Sequence, residues 1–150
     1  MKKRKIILFS VFIVVIAAAL YGYKEYNRRN KDLADAAPDL SIQATSLIEK
    51  FEKDETAANK TFLTKKDFIV AVGGRVKDVV KDEKGFYTIT LGDTSAMSSV
   101  RCAIDSVHTN DAKNIKRGDT LTIQGAITGY NRDDLLGSDV VLNRCVIIKK

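Results

Sequence analysis

From Lys66 onward, apolar and polar residues alternate with a period of two, and glycines stand inside two of the alternating runs. A glycine in mid-strand suits backbone that bends sharply or bulges, as it does where one strand serves two sheets of a small barrel. The first run holds Val70, Val72 and Val76 on one face, with Gly73 and Gly74 at its centre. A turn over residues 82–85 leads to a second run, 86–91, in which Tyr87, Ile89 and Leu91 share a side. The third, 100–104, aligns Val100, Cys102 and Ile104. A polar connection, 105–118, has room for a helical turn near 111–115. The fourth strand, 120–130, then bends over Gly125 and Gly129. The fifth, 139–148, is broken by Asn143 and Arg144, which leaves its register open.

Ahead of the strands the period is helical. Ala44, Leu47, Ile48 and Phe51 fall on one helix face, with Asp39 or Ser41 able to cap its start. A second helix is expected from Asp54, whose carboxylate can cap it, with Ala57, Ala58 and Phe62 inward. The expected class is α+β: an N-terminal transmembrane helix, a leader helix or helix pair, then a five-stranded barrel.

The transmembrane expectation rests on Ile6 to Leu20, an apolar run in which Ser10 is the sole polar residue, preceded by Lys2, Lys3, Arg4 and Lys5. Extended through Tyr23 it spans about 27 Å of an apolar layer roughly 30 Å thick. Ala17 and Ala19 also fit a cleavable export signal. Lys24, Arg28, Arg29 and Lys31 behind the run favour an uncleaved anchor. Residues 1–31 carry eight Lys or Arg and one acid, a net of +7, so the rest of a +6 chain is nearly neutral at −1. The high pI therefore belongs to the membrane-flanking segment and is no argument for nucleic acid. The organisation expected is an anchor at 1–23, a polar tether at 24–38, a helical leader at 39–63 and a barrel at 64–150.

The strands VAVGGRV, VRC, GDTLTIQG and VVLNRC, in that order after the leader FEKDETAANK, resemble the OB-fold family described as tRNA-anticodon-binding-domain-like. The resemblance covers roughly residues 44–148. It implies an OB barrel in an exported or membrane-anchored bacterial protein. Such barrels bind oligonucleotides on the outer face of their second and third strands. Here that face would carry Phe86, Thr88 and Thr90, with Ser99, Arg101 and Ala103 beside them. One aromatic and one arginine make a thin platform, so nucleic acid is disfavoured as a partner.

In an OB barrel the third and fifth strands are neighbours, so Cys102 and Cys145 can face each other, and export permits their oxidation. A bridge would close a loop of about 44 residues and contribute roughly 4 kcal/mol on the chain-entropy model. Two buried thiols are the alternative. No zinc pattern includes the single His108, which reads as a solvent-exposed loop residue. Asp133 and Asp134 read as turn formers rather than a cation site or an acid/base pair, and no hydrolase elbow or phosphate loop is present.

The expected function is thus a non-catalytic binding or scaffolding module without cofactor or metal. It would be held through residues 6–23 in a bacterial-type inner membrane, with its C-terminal domain outside. Signal cleavage near Ala19, giving a secreted or periplasmic protein, is the alternative. Its partners would be a protein or small envelope ligand, met by the loops 81–85 and 131–138. The alternative function is binding of single-stranded nucleic acid or anionic glycan.

Overall fold

The computed structural model describes residues 2–26 and 32–148, with side chains from Phe12 onward. It divides into two units, residues 1–31 and 32–150. The first is one helix, α1 (Lys2–Tyr26), whose side chains from Phe12 to Tyr26 are exposed. Among the described residues no helix is long and apolar enough to cross a membrane, so the expected transmembrane helix is not supported. The side chains of Lys2, Lys3, Arg4, Lys5 and Ile6, and the flank Arg28, Arg29 and Lys31, lie outside the described residues.

The second unit is the expected five-stranded barrel with one strand added. Its elements are β1 (Leu40–Gln43), α2 (Ala44–Lys53), α3 (Glu55–Phe62), β2 (Ile69–Lys81), β3 (Tyr87–Leu91), β4 (Ser99–Ile104), α4 (Thr109–Ala112), β5 (Thr120–Asn131) and β6 (Asp139–Ile148). Strand β2 pairs with β5 from Ile69 to Arg75 and with β3 from Val76 to Lys81, so it belongs to two sheets in turn. The handover falls directly after Gly73 and Gly74, where the sequence called for a bend. β3 pairs with β4, β4 runs parallel to β6, and β6 returns antiparallel to β5, which closes the barrel.

Helix α2 plugs one barrel opening with Ala44, Leu47, Ile48 and Phe51, the four residues its period selects. Phe51, fully buried, lies 5.5 Å from the ring of Phe62 and stacks at 4.8 Å on Tyr130, which ties both helices to β5. Asp54 caps α3 as expected, accepting from the Ala57 amide at 2.9 Å; Ala58 and Phe62 are buried while Ala57 is exposed.

Neither Asp39 nor Ser41 caps α2. Residues 40–43 alternate Leu40 and Ile42 with Ser41 and Gln43, and they add a short parallel strand to β2. Asp39 instead accepts from the Ile69 amide at 3.0 Å and pairs with Lys65, which fixes the register of β1 on β2.

Part of the segment expected to be a polar tether packs on the barrel. Leu33, 2% exposed, packs with Ala126 and Val146, and the buried Gln124 amide donates to the carbonyls of Leu33 at 2.7 Å and Ala36 at 2.5 Å. His108 is not a solvated loop residue. Its Nε2 meets both Asp32 oxygens at 2.9 and 3.0 Å, and Nδ1 lies 3.6 Å from Asp111. Burial lowers the proton affinity of His108, but the hydrogen bonds and charges of Asp32 and Asp111 outweigh it and raise its pKa above 6.5. Asp32 is lowered below 3.8, first by the Ala34 amide and then by His108.

Two predictions follow from these contacts. Phe51→Ala should destabilise the domain by about 3–5 kcal/mol in urea unfolding, because three rings lose their common contact. The His108–Asp32 clasp should be fullest between about pH 4 and 6.5. A raised histidine stabilises fully below its unfolded pKa and loses that contribution as pH rises through the folded value; the lowered Asp32 loses its own as pH falls. Amide exchange at Leu33 and Ala34, corrected for the intrinsic pH dependence, should accelerate from pH 6 to 8 in the native chain and not in His108→Ala.

Candidate nucleic-acid interface

The outer face of β2, β3 and β4 brings together Thr88, Thr90, Arg101 and Ala103, with Phe86 at its end. Register sets Thr90 opposite Arg101 and Thr88 opposite Ala103, while Asp78 and Val80 of β2 lie across from Thr90 and Thr88 on the other side. Phe86, the residue before β3, follows the same alternation and is 43% exposed. Its amide donates to Asp82 at 2.8 Å and its carbonyl accepts from the Asp82 amide at 2.9 Å, which closes the hairpin turn. Ser99 of the expected face is covered rather than exposed, and its hydroxyl bonds Asp139 at the start of β6.

The face is more cationic than its own strands suggest. Arg101 pairs with Asp139 at 2.8 Å while its side chain remains 56% exposed. On the other flank Arg117, 78% exposed, donates to the Lys77 carbonyl at 2.7 Å and lies 3.9 Å from Asp78. Thr90 therefore sits between two arginine–carboxylate pairs. Arg117 comes from the loop before β5 and reaches this face because Gly118, at φ +93, turns the chain so that its amide bonds Val76. Sequence reasoning missed it; the only signal was the turn Arg117-Gly118-Asp119. Lys81, at the hairpin end of β2, stands 5.6 Å over the Tyr87 ring and so lies on the other side of the hairpin from Thr88.

Lys77 is occupied elsewhere, donating to the carbonyls of Ala96, Met97 and Ser98 and so shaping the loop between β3 and β4. The loops 81–85 and 131–138, expected to meet a partner together, do not lie at the same end of the barrel face. The 81–85 loop borders the end of β4 near Ala103, and the 131–138 loop borders its beginning at Ser99, so they bracket the face from opposite ends.

The acidic pair is resolved as a turn. Asp133 accepts from the amides of Leu135 and Leu136 at 2.8 and 2.9 Å, which lowers its pKa, and Asp134 pairs with Arg132. Among the described residues no cluster of His, Cys, Asp and Glu could hold a metal ion. Cys102 and Cys145 are both buried and both free thiols.

With barrel, plug helix and face in place, the comparison with known proteins is decisive at the family level. The family model named tRNA_anti-like matches residues 1–146. The chain belongs to that family. Among solved structures, one from Klebsiella pneumoniae subsp. pneumoniae MGH 78578, described as a "putative nucleic acid-binding lipoprotein", superposes with a TM-score of 0.56 at 16% identity. The match covers 81% of this chain and 100% of the other. The asparaginyl-tRNA synthetase of Entamoeba histolytica matches 57% of this chain and 22% of its own length, at 17% identity and a TM-score of 0.41. No curated protein sequence matches this chain.

The expectation that disfavoured nucleic acid as a partner does not stand against the family match and the description of the Klebsiella protein. Its physical error was to count only the side chains of β3 and β4. The face borrows Arg117 from a loop, and that residue was not in the count.

Proposed function

We propose that this tRNA_anti-like barrel is a non-catalytic module that binds single-stranded nucleic acid across β3 and β4. The observation that carries the reading is Thr90 between two solvent-facing arginines, with the exposed ring of Phe86 at the end of the same face. Exposed ion pairs of this kind contribute only about 0–1 kcal/mol, so Arg101 and Arg117 can trade a carboxylate for a phosphate at little cost. Thr88 and Thr90 supply hydroxyls between them, and Phe86 supplies a stacking surface open to any base. The loops 81–85 and 131–138 would bound the strand path at its two ends.

The module is tethered to a membrane and faces its outer side. Support comes from the apolar run behind a basic cluster, the basic flank that follows it, and the near-neutral remainder of the chain. A protein partner is the second reading, favoured by Leu135 and Leu136, 84% and 75% exposed on the loop beside the face.

Binding of a labelled single-stranded oligonucleotide to the full-length chain in detergent tests the first reading. Affinity should fall as salt rises, and the slope of log K against log salt should shrink by about 0.7 for each of Arg101→Gln and Arg117→Gln that removes a phosphate contact. Phe86→Ala should cost roughly 1–3 kcal/mol with the slope unchanged. Unaltered binding in all three variants would place the ligand elsewhere. Binding lost only on Leu135→Ser with Leu136→Ser would favour the loop and a partner of different chemistry.

A further inference from the structure

Strand β6 changes face part-way along. Val140 and Leu142 point into the barrel, and continued alternation would send residue 144 inward and Cys145 out. Instead Asn143 is exposed, Arg144 adopts φ +53, and Cys145 and Ile147 are buried inside. Pairing slips on both sides of this point, between Cys102 and Ile104 on β4 and between Gln124 and Ala126 on β5. A positive φ is disfavoured for a residue with a side chain, and here the Arg144 guanidinium is held by Asp67, itself at φ +56.

The interior also makes room for the sulfur. A Cβ on Gly125 of β5 would lie 2.5 Å from Cys145 Sγ, so only glycine fits there without displacing it. Register sets Cys145 opposite Ile104, two residues along β4 from Cys102 and on the same inward face, and both thiols, free in this structure, are 0% exposed.

We propose that Cys102 and Cys145 form a disulfide across β4 and β6, and that the break at Asn143 and Arg144 serves to bring the two sulfurs together. Formation of the S–S bond releases two protons and two electrons. The acceptor is a second disulfide, of a protein oxidant or of oxidised glutathione, which passes through a mixed disulfide and leaves as two thiols. Burial pushes the Cys145 thiol well up, and neither sulfur is open to solvent, so exchange takes place while the chain folds and before β6 closes over Cys102. An oxidising compartment is required, consistent with the outward-facing tether proposed above.

The test is a thiol count by mass-tagged maleimide. The full-length chain, reduced and unfolded, is refolded in detergent with a mixture of reduced and oxidised glutathione, then quenched in acid, denatured and tagged. The expected result is a monomer carrying no tag, and two tags once reductant is added before tagging. The same count on chain taken from membranes of cells exporting it, acid-quenched at lysis, reads the bridge without any refolding step. Two tags on unreduced protein from the membranes would overturn the proposal, as would a covalent dimer in place of the untagged monomer. Gly125→Ala should raise the share of two-tag protein at a fixed glutathione ratio, whereas Gly129→Ala, with nothing within 4 Å of its added Cβ, should not.

Discussion

Closure of the barrel depends on β2 changing partners within its own length. Over Ile69–Arg75 it is zipped to β5, and from Val76 it is zipped to β3, with a register shift between Val76 and Asp78. The backbone must turn where the two sheets meet, and the element that fills that corner is α2. A Cβ on Gly74 would lie 3.0 Å from the Cβ of Ala44, so the absence of a side chain lets the helix seat its first turn against the bend. Leu47, Ile48 and Phe51 then follow into the barrel mouth. The same turn carries Asp78 onto the outer face beside Thr90, which is how a demand of closure also shapes the candidate interface.

Much of this was legible in the sequence for a physical reason: period and glycine placement report directly on strand geometry. The barrel strands, both leader helices and the Asp54 cap follow from local pattern alone. What escaped was set by distant contacts. Residues 40–43 are too short to show a period against a helix beginning at Ala44, and they become a strand only because β2 offers a parallel edge. Leu33 and His108 look like linker and loop residues until Gln124 and Asp32 meet them, across 91 and 76 positions of sequence. Ser99 was expected to be exposed beside Arg101 and is instead covered, its hydroxyl held by Asp139. Of the interface, Thr88, Thr90 and Arg101 were readable by alternation, whereas Arg117 was not, since its position depends on the turn at Gly118.

The electrostatics of the face follow from the same distinction between local and distant charge. The positive excess of the whole chain sits in residues 1–31, and the barrel that remains is almost balanced. A balanced surface can still attract an anion where its positive members are exposed and their partners are held from behind. Asp139 is committed to the Ser99 hydroxyl as well as to Arg101, and its side chain is 20% exposed against 56% for the arginine. The carboxylate is therefore fixed near the barrel wall while the guanidinium reaches into solvent. An approaching phosphate meets the arginine first, and the carboxylate keeps its hydroxyl partner if the arginine leaves. Asp78, 52% exposed, lacks that second hold, so the Arg117 pair is the looser of the two.

Strand β4 joins these themes, because neighbouring residues on it face opposite ways. Arg101 points out to the candidate interface while Cys102 points into the core that also holds Cys145. Both depend on β4 lying in register with β6, since Arg101 finds Asp139 across that pairing and Cys102 finds Cys145 across it beyond the slip. Parallel pairing is somewhat weaker per residue than antiparallel, and this is the one parallel seam in the closed barrel. A covalent link in the wall directly behind Arg101 would oppose parting of that seam. It would hold the guanidinium and its carboxylate at a fixed separation, so the same contact that stabilises the core would also preorganise the face.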